Sequence, residues 1–444
     1  MKLDCPTLLI KNQNIDQLKP SPHNARIHSK RQIRQIADSI RAFGFTNPVL
    51  VDRSNRIAAG HGRVEAAKLL SMTQVPTIIL DELTDDQLRA YILADNQLGL
   101  RAEWNFEMLA TELKYLNTLE GSDFDPTVTG FELPEIDCLI EGLSESTRDD
   151  PDDQLPELAQ KAVARTGDLW ELGKHRILCG SAIEDSSYAQ LLGVKRASVA
   201  FLDVPYNQPI NGHVSGNGRI RHREFAMASG EMSEAEFTSF LTSSFAHAAQ
   251  YSKLASVHYI CIDWPHLAHV FSAGSAAYDA LLNVCVWVKN KAGMGSGYRS
   301  RHEMICVYRN GKGKYRNNIQ LGKFGRDRSN VWEYPSISST AKTGEDGNLL
   351  ALHPTVKPVA LIKDALLDCS ARNEIVLDSF LGSGSTLIAA ERTGRICYGM
   401  ELDPLYIDTA IRRWQRHTGG HAIHTESRKR FDEIAHQLRG DKCE

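Results

Sequence analysis

Residues 374–401 constrain the fold of this chain more than any other stretch. Glu374-Ile-Val-Leu-Asp378 is a short apolar strand and Ser379-Phe-Leu-Gly-Ser-Gly-Ser-Thr386 a glycine-rich loop; Leu387 to Arg392 starts a helix, and Ile396-Cys-Tyr-Gly-Met-Glu401 is a second strand ending in an acid. That order is the front half of a doubly wound, Rossmann-like α/β fold, in which glycines let a nucleoside approach the backbone and the acid meets ribose hydroxyls. The loop lacks the Lys-Ser/Thr of a phosphate-binding loop and the third glycine of a dinucleotide site. An acid at position 378 attracts an amino group and repels a pyrophosphate. The candidate that remains carries an ammonium, a sulfonium and a ribose: S-adenosyl-L-methionine. Taken alone, a plain strand-to-helix turn explains the glycines about as well.

A second run, Val199-Ala-Phe-Leu-Asp203-Val-Pro-Tyr206-Asn207, delivers an acid from a short apolar strand into a turn held by Pro205. Proline at 205 pushes Val204 into an extended conformation and so aims its carbonyl. A carboxylate and a carbonyl side by side can hold an exocyclic amine, and Tyr206 offers a face for a base taken out of a duplex. By itself the run reads equally well as a strand end with a tyrosine cap.

The two runs together carry more than either. Asp203-Val-Pro-Tyr206 resembles the Asp-Pro-Pro-Tyr motif of amino-methylating DNA methyltransferases, and the loop from Asp378 to Thr386 resembles their cofactor motif. His353-Pro-Thr-Val-Lys-Pro358 is similar to the family's Lys-Pro segment, and catalytic motif first, cofactor motif last is the order of its beta group. The resemblance covers about residues 165 to 418. It implies S-adenosyl-L-methionine as cofactor, held by Asp378, Phe380, Gly382, Gly384, Thr386, Glu401, Asp403, Lys357 and Pro358. It implies Asp203, Val204, Pro205 and Tyr206 as the catalytic group, with direct transfer from sulfonium to amine and neither a covalent intermediate nor a metal. Val204 and Ser379 stand where the family carries proline. An opening Asp rather than Ser favours adenine N6 over cytosine N4. The alternatives are cytosine N4 methylation, an RNA methyltransferase, or a DNA-binding partition-type accessory protein with a decayed methylase half.

A length of 444 residues argues for two or three domains. Ser144 to Asp153 carries five acids and no large apolar residue, so it reads as a solvated linker. The expected division is a small α+β domain over 1–143, a linker over 144–164, a methyltransferase domain over 165–420 with a target-recognition region at about 289–345, and a tail over 421–444. In the first unit Asn24-Ala-Arg26, the helix ending at Gly44, Gly60-His-Gly-Arg63 and Ala94-Asp-Asn-Gln97 together resemble the N-terminal domain of ParB-type partition proteins. That implies nucleotide binding at Gly60 and Arg63, although Asp95-Asn96 is followed by Arg101 rather than by an Arg three residues after the Asn. No helix-turn-helix partner is evident; Trp104 to Leu119 and Leu133 to Leu143 read as packing helices.

A net charge of −4 gives no global pull toward nucleic acid. Locally, Lys289 to Arg328 holds eleven basic residues against two acids, a charge of +9. Lys289, Lys291, Arg299 and Arg301 there, and Arg219, Arg221 and Arg223 in the loop after the catalytic turn, are the candidate contacts to double-stranded DNA. No apolar run is long enough to span a membrane. Nine scattered cysteines and histidines without ligand spacing point to a cytoplasmic protein without a metal. A homodimer is compatible with this reading.

Overall fold

The computed structural model describes residues 8–98, 101, 104–118, 125–141, 153, 161–207, 230–290, 292, 298–320, 326–336 and 356–440. Its chain divides into two compact units, Met1–Glu145 and Ser146–Glu444.

The first unit contains β1 (Ile10–Asn14), α1 (Lys30–Phe43), β2 (Val49–Val51), β3 (Ile57–Ala59), α2 (His61–Leu69), β4 (Gln74–Ile79), α3 (Asp85–Leu98), α4 (Phe106–Thr118) and α5 (Leu133–Glu141). Its sheet runs β1-β4-β2-β3, with β2 and β4 parallel and the other pairs antiparallel. Val49, Val51 and Ile57 of the sheet pack against Val64 and Ala67 of α2. Ser29 starts α1 by accepting the Gln32 N–H at 3.1 Å, and Gly44 stops it. Gly60, at φ 105°, takes the left-handed turn that opens α2.

The second unit contains β5 (Leu169–Leu172), β6 (His175–Cys179), α6 (Asp185–Leu192), β7 (Ala197–Asp203), α7 (Glu234–Gln250), β8 (Ser252–Ile262), α8 (Leu267–Ala277), β9 (Ala280–Val288), β10 (His302–Arg309), β11 (Val331–Glu333), α9 (Val359–Cys369), β12 (Ile375–Asp378), α10 (Ser385–Arg392), β13 (Ile396–Glu401), α11 (Pro404–Thr418), β14 (Ala422–His424) and α12 (Phe431–Gly440). The sheet order is β11-β9-β10-β8-β7-β12-β13-β6-β5-β14. From β8 to β6 every pair is parallel, and β10 joins antiparallel at β8. Parallel central strands need cover on both faces, which is why β7 is apolar on both faces from Val199 to Leu202. Val199 and Phe201 enter one buried cluster with Trp287, Val376 and Ile411; Ala200 and Leu202 enter the other with Phe245, Leu377 and Met400.

From β7 the chain winds outward to β8, and from β12 it winds the opposite way to β13. The order therefore reverses between β7 and β12, whose pairing sets Val376 beside Val199 and Leu377 beside Ala200. A crevice at the carboxyl ends of two such strands is where an open α/β sheet binds its ligand.

Two expected segments are not the free chain the sequence suggested. Within the expected linker, the Val163 and Ala164 N–H groups donate to the buried Asp408 carboxylate at 2.8 and 2.9 Å, and Asp153 accepts the Val359 N–H at 3.0 Å. The expected tail extends the fold: β14 pairs with β5, and Phe431 packs edge-on against Trp170, their ring centres 5.4 Å apart. In both, a few apolar side chains within a polar stretch find a cover that composition does not reveal.

Candidate active site

Asp203 is the last residue of β7 and Asp378 the last of β12, so pairing of the two strands brings together motifs far apart in the chain. Glu401 ends β13, the next strand along. Three carboxylates thus close three neighbouring parallel strands. Val204 is buried in the apolar cluster beside Leu202, and Asn207, at φ 51°, ends the turn in the left-handed region that Asn tolerates. The Asn207 side chain ties the turn to the start of α7, accepting from Gly230 N at 3.1 Å and donating to Met232 O at 2.8 Å.

The Asp203 carboxylate is one-fifth exposed, and Lys357, almost wholly buried, lies with its Nζ 2.7 Å from Asp203 Oδ1. The same ammonium is 2.9 Å from Glu303 Oε2 and 3.0 Å from the Tyr206 hydroxyl. Tyr206 donates to Glu303 Oε2 at 2.8 Å and lies 3.2 Å from Asp203 Oδ1. Lys289 closes the group by pairing with Glu303 Oε1, its ammonium over the Trp287 ring at 4.8 Å. Burial raises the pKa of Asp203, Lys357 opposes the rise and Glu303 adds to it. For Glu303 burial also acts upward, but Lys357 and Lys289 outweigh it and bring the pKa down to about 2. Burial disfavours the Lys357 ammonium, yet the two acids raise its pKa above the usual lysine value.

On the cofactor side, Asp378 Oδ1 accepts the Phe380 N–H at 2.9 Å and the side chain is hydrogen-bonded to Thr386. With 2% exposure, this carboxylate secures its own loop. Burial, with the nearby Asp203 and Glu401 charges, pushes its pKa up to about 7 against those hydrogen bonds. Glu401 accepts the Gly382 N–H at 2.9 Å on Oε2 and the Asp403 N–H at 3.0 Å on Oε1. Asp403 itself caps α11 by accepting the Leu405 N–H at 3.0 Å, and Pro358 is the residue from which α9 starts. Phe380 packs on Phe240, 6.1 Å between ring centres. Ser379, where the resemblance expects proline, lies with its Oγ 3.0 Å from the Tyr188 hydroxyl.

This set suits S-adenosyl-L-methionine. The carboxylate rim favours a sulfonium and an ammonium, and the Glu401 carboxylate, fixed by backbone N–H groups of Gly382, Leu402 and Asp403, is an oriented acceptor for a ribose hydroxyl. Gly384, at φ 86°, is the tight point of the loop: a Cβ there would come within 2.9 Å of the Ala410 Cβ. Gly384→Ala should destabilise the methyltransferase unit by about 1–3 kcal/mol and weaken cofactor binding, measured by thermal melting and calorimetry.

Of the candidate DNA contacts, Arg219, Arg221, Arg223 and Lys291 lie outside the described residues, as does the segment from His353 to Thr355. Arg299 and Arg301 are exposed, whereas Lys289 is engaged with Glu303. The expected polycation is partly neutralised: Arg309 pairs with Asp279, Arg316 with Glu374, and Arg326 and Arg328 with Asp364 and Asp368. These acids come from other parts of the chain, so a local charge count could not include them. Glu303 was counted in the sequence only as an acid offsetting the basic run. Its signal was there: Glu303, Ile305 and Val307 share one face of a strand, and both apolar partners are buried.

In the first unit, Gly60, His61, Arg63, Asn24, Arg26, His28, Asp95 and Asn96 line one pocket of about 210 Å³. Arg63 donates to Asn47 O at 2.8 Å and Arg26 to Asn96 Oδ1 at 3.0 Å. The glycine turn and the Asp-Asn pair, separate in sequence, meet here.

Residues 197–412 match the model of the DNA methylase family, and residues 6–97 that of the ParB N-terminal domain. The chain carries a DNA methylase domain and a ParB N-terminal domain. It is a DNA methyltransferase of the N6/N4 amino-methylase family, whose cofactor is S-adenosyl-L-methionine. Residues 107–166 of the methylase match a ParB-methyltransferase helix-turn-helix domain. This overturns the expectation that α4 and α5 are packing helices with no partner domain; the motif is short, and its periodicity alone looks like any amphipathic pair. The ParB-like nuclease domain-containing protein YnaK of Escherichia coli (strain K12) is 53% identical over 73 residues, which are 16% of the methylase and 84% of YnaK. Type II methyltransferase M.ScaI of Streptomyces caespitosus is 34% identical over 105 residues, 22% of the methylase and 34% of M.ScaI. Among solved structures, the M1.HpyAVI–SAM complex covers 53% of the methylase and 97% of its own chain at 20% identity and TM-score 0.40. The cytosine-N4-specific PvuII DNA methyltransferase covers 58% and 90% at 13% identity and TM-score 0.41.

Proposed function

We propose that this methylase transfers a methyl group from S-adenosyl-L-methionine to the exocyclic amine of a base in double-stranded DNA, adenine N6 in particular. The observation that supports it most is the placement of Asp203 and Asp378 at the carboxyl ends of adjacent strands, at the reversal of the sheet. When bound, S-adenosyl-L-methionine supplies an electrophilic methyl on a sulfonium. Asp203 and the Val204 carbonyl accept the two amine hydrogens, which turns the nitrogen lone pair outward. Among the described residues the two donors within reach of the Asp203 carboxylate, Lys357 and the Tyr206 hydroxyl, both approach Oδ1, which leaves Oδ2 for the amine. Tyr206 stacks on the base, and Asp203 is the nearest base for the proton released once the nitrogen is methylated. These groups act by position and by charge. Asp203, rather than a serine, at the head of the motif supports adenine.

Exposing unmethylated duplex DNA to the purified protein and the cofactor, then analysing nucleosides by mass spectrometry, tests this. N6-methyladenine is expected; N4-methylcytosine would refute the adenine assignment, and no methylated base would refute transfer to DNA.

Asp378 makes cofactor binding pH-dependent. Its pKa of about 7 lies above the ordinary carboxylate value, so it ionises as pH rises through that point and then attracts a cation. Affinity for S-adenosyl-L-methionine should therefore rise from pH 6 to pH 8 by about tenfold at most, and Asp378→Asn should flatten the curve in calorimetric titrations. The same raised pKa costs stability in the opposite sense: the native state holds the proton longer than the unfolded chain, so this contribution falls as pH rises from about 4 to about 7.

A further inference from the structure

We propose that Glu303 is a positioning residue for methyl transfer, which draws the Tyr206 hydroxyl and part of the Lys357 ammonium away from Asp203 and so keeps Asp203 open to the target amine. This rests on the reading that Asp203 accepts the amine's hydrogens.

Hydrogen counting supports it. Lys357 has three N–H bonds and three acceptors: Asp203 Oδ1 at 2.7 Å, Glu303 Oε2 at 2.9 Å and the Tyr206 oxygen at 3.0 Å. Tyr206 has one hydrogen, and Glu303 at 2.8 Å is better placed to take it than Asp203 at 3.2 Å. Without the Glu303 carboxylate both donors would bear on Asp203 alone, drawing charge from its carboxylate and weakening Oδ2 as an acceptor for the amine. Charge agrees with geometry. Asp203 and Glu303 balance Lys357 and Lys289, so the cluster is neutral, and Glu303 supports the basicity of Asp203 by repulsion.

The strand supplies the reason that Glu303 cannot drift. It is 5% exposed, its strand is paired on both sides, and Trp287, directly opposite on β9, lies beneath both ammonium groups at 4.8 and 5.7 Å. The other titratable groups felt at Asp203 are Cys261 on β8, whose thiol burial holds neutral, and Asp378 on β12.

The test compares the full-length wild type with Glu303→Gln and Glu303→Asp. For Glu303→Gln, kcat on duplex DNA should fall by about tenfold or more with the Kd for S-adenosyl-L-methionine unchanged. Its acidic limb should move to lower pH, because Asp203 loses a neighbouring negative charge; Glu303→Asp should recover part of both. A carboxylate that only supports the fold would lower the active fraction at every pH equally and leave the limb in place, and that result would overturn the proposal. Carboxyl-labelled aspartate followed by NMR, with the Asp203 signal assigned through Asp203→Asn, reads the same pKa without turnover. If the wild type methylates no DNA, the reading above fails, while an unshifted Asp203 titration in Glu303→Gln is what refutes Glu303.

Discussion

Asp203→Asn should cripple methyl transfer while sparing cofactor binding. The substitution keeps the shape of the side chain but replaces a carboxylate that accepts hydrogen bonds with an amide whose donor end must face either the amine or Lys357, 2.7 Å away, and which carries no charge to offset that lysine. Removing one group aimed at developing charge costs about 10²–10³-fold in kcat, or roughly 3–4 kcal/mol. Transfer of labelled methyl groups to DNA should fall by that factor, and calorimetric binding of S-adenosyl-L-methionine should stay within about threefold of the wild type. The sparing follows from the fold: Asp378 and Glu401, the proposed cofactor residues on β12 and β13, hydrogen-bond their own loops at Phe380 and Gly382 rather than Asp203. Unchanged turnover would remove Asp203 from the catalytic role.

Lys357→Met should have the largest effect on stability. Its ammonium stands between two carboxylates, and methionine of similar length would leave Asp203 and Glu303 facing each other with only Lys289 as countercharge. Breaking a buried pair by removing one partner costs about 3–5 kcal/mol. The loss should depend on pH in a defined direction. Without Lys357 both acids would have pKa values raised above those of the unfolded chain, so the native state would bind the extra protons. The variant should then be most stable in acid and lose stability as pH rises through those values, whereas the lysine in the wild type keeps Glu303 ionised down to about pH 2. Urea denaturation at several pH values measures this. Adding Glu303→Gln to Lys357→Met should recover part of the loss, since it removes one of the stranded charges; strict additivity of the two changes would argue against the shared network.

Much of the methylase could be read before any coordinates. Residues 374–401 announced their strand, loop, helix and strand through apolar runs broken by glycine, because local pattern and chirality leave few other options. In the first unit the helix that Gly44 stops was equally plain. Charge was the poorest guide. The stretch from Lys289 to Arg328 looked like a bare polycation, but Asp279, Asp364, Asp368 and Glu374 arrive from elsewhere in the fold to pair with four of its arginines.

Residue order alone settled which side chains end which strands, since a period of two and a terminating loop are local properties. It specified Asp203, Asp378 and Glu401 as strand-end acids, and the glycines that let the loop turn. The strand order of the sheet decided the rest. Setting β12 beside β7 is a long-range choice made by burial on both faces, and it alone brings the two motifs to one crevice. Folding β10 back antiparallel against β8 and β9 carried Glu303 and Lys289 into the charge cluster around Asp203, where Lys357 completes the pairing. Partners of buried charges are chosen by space, and sequence distance holds no record of that choice.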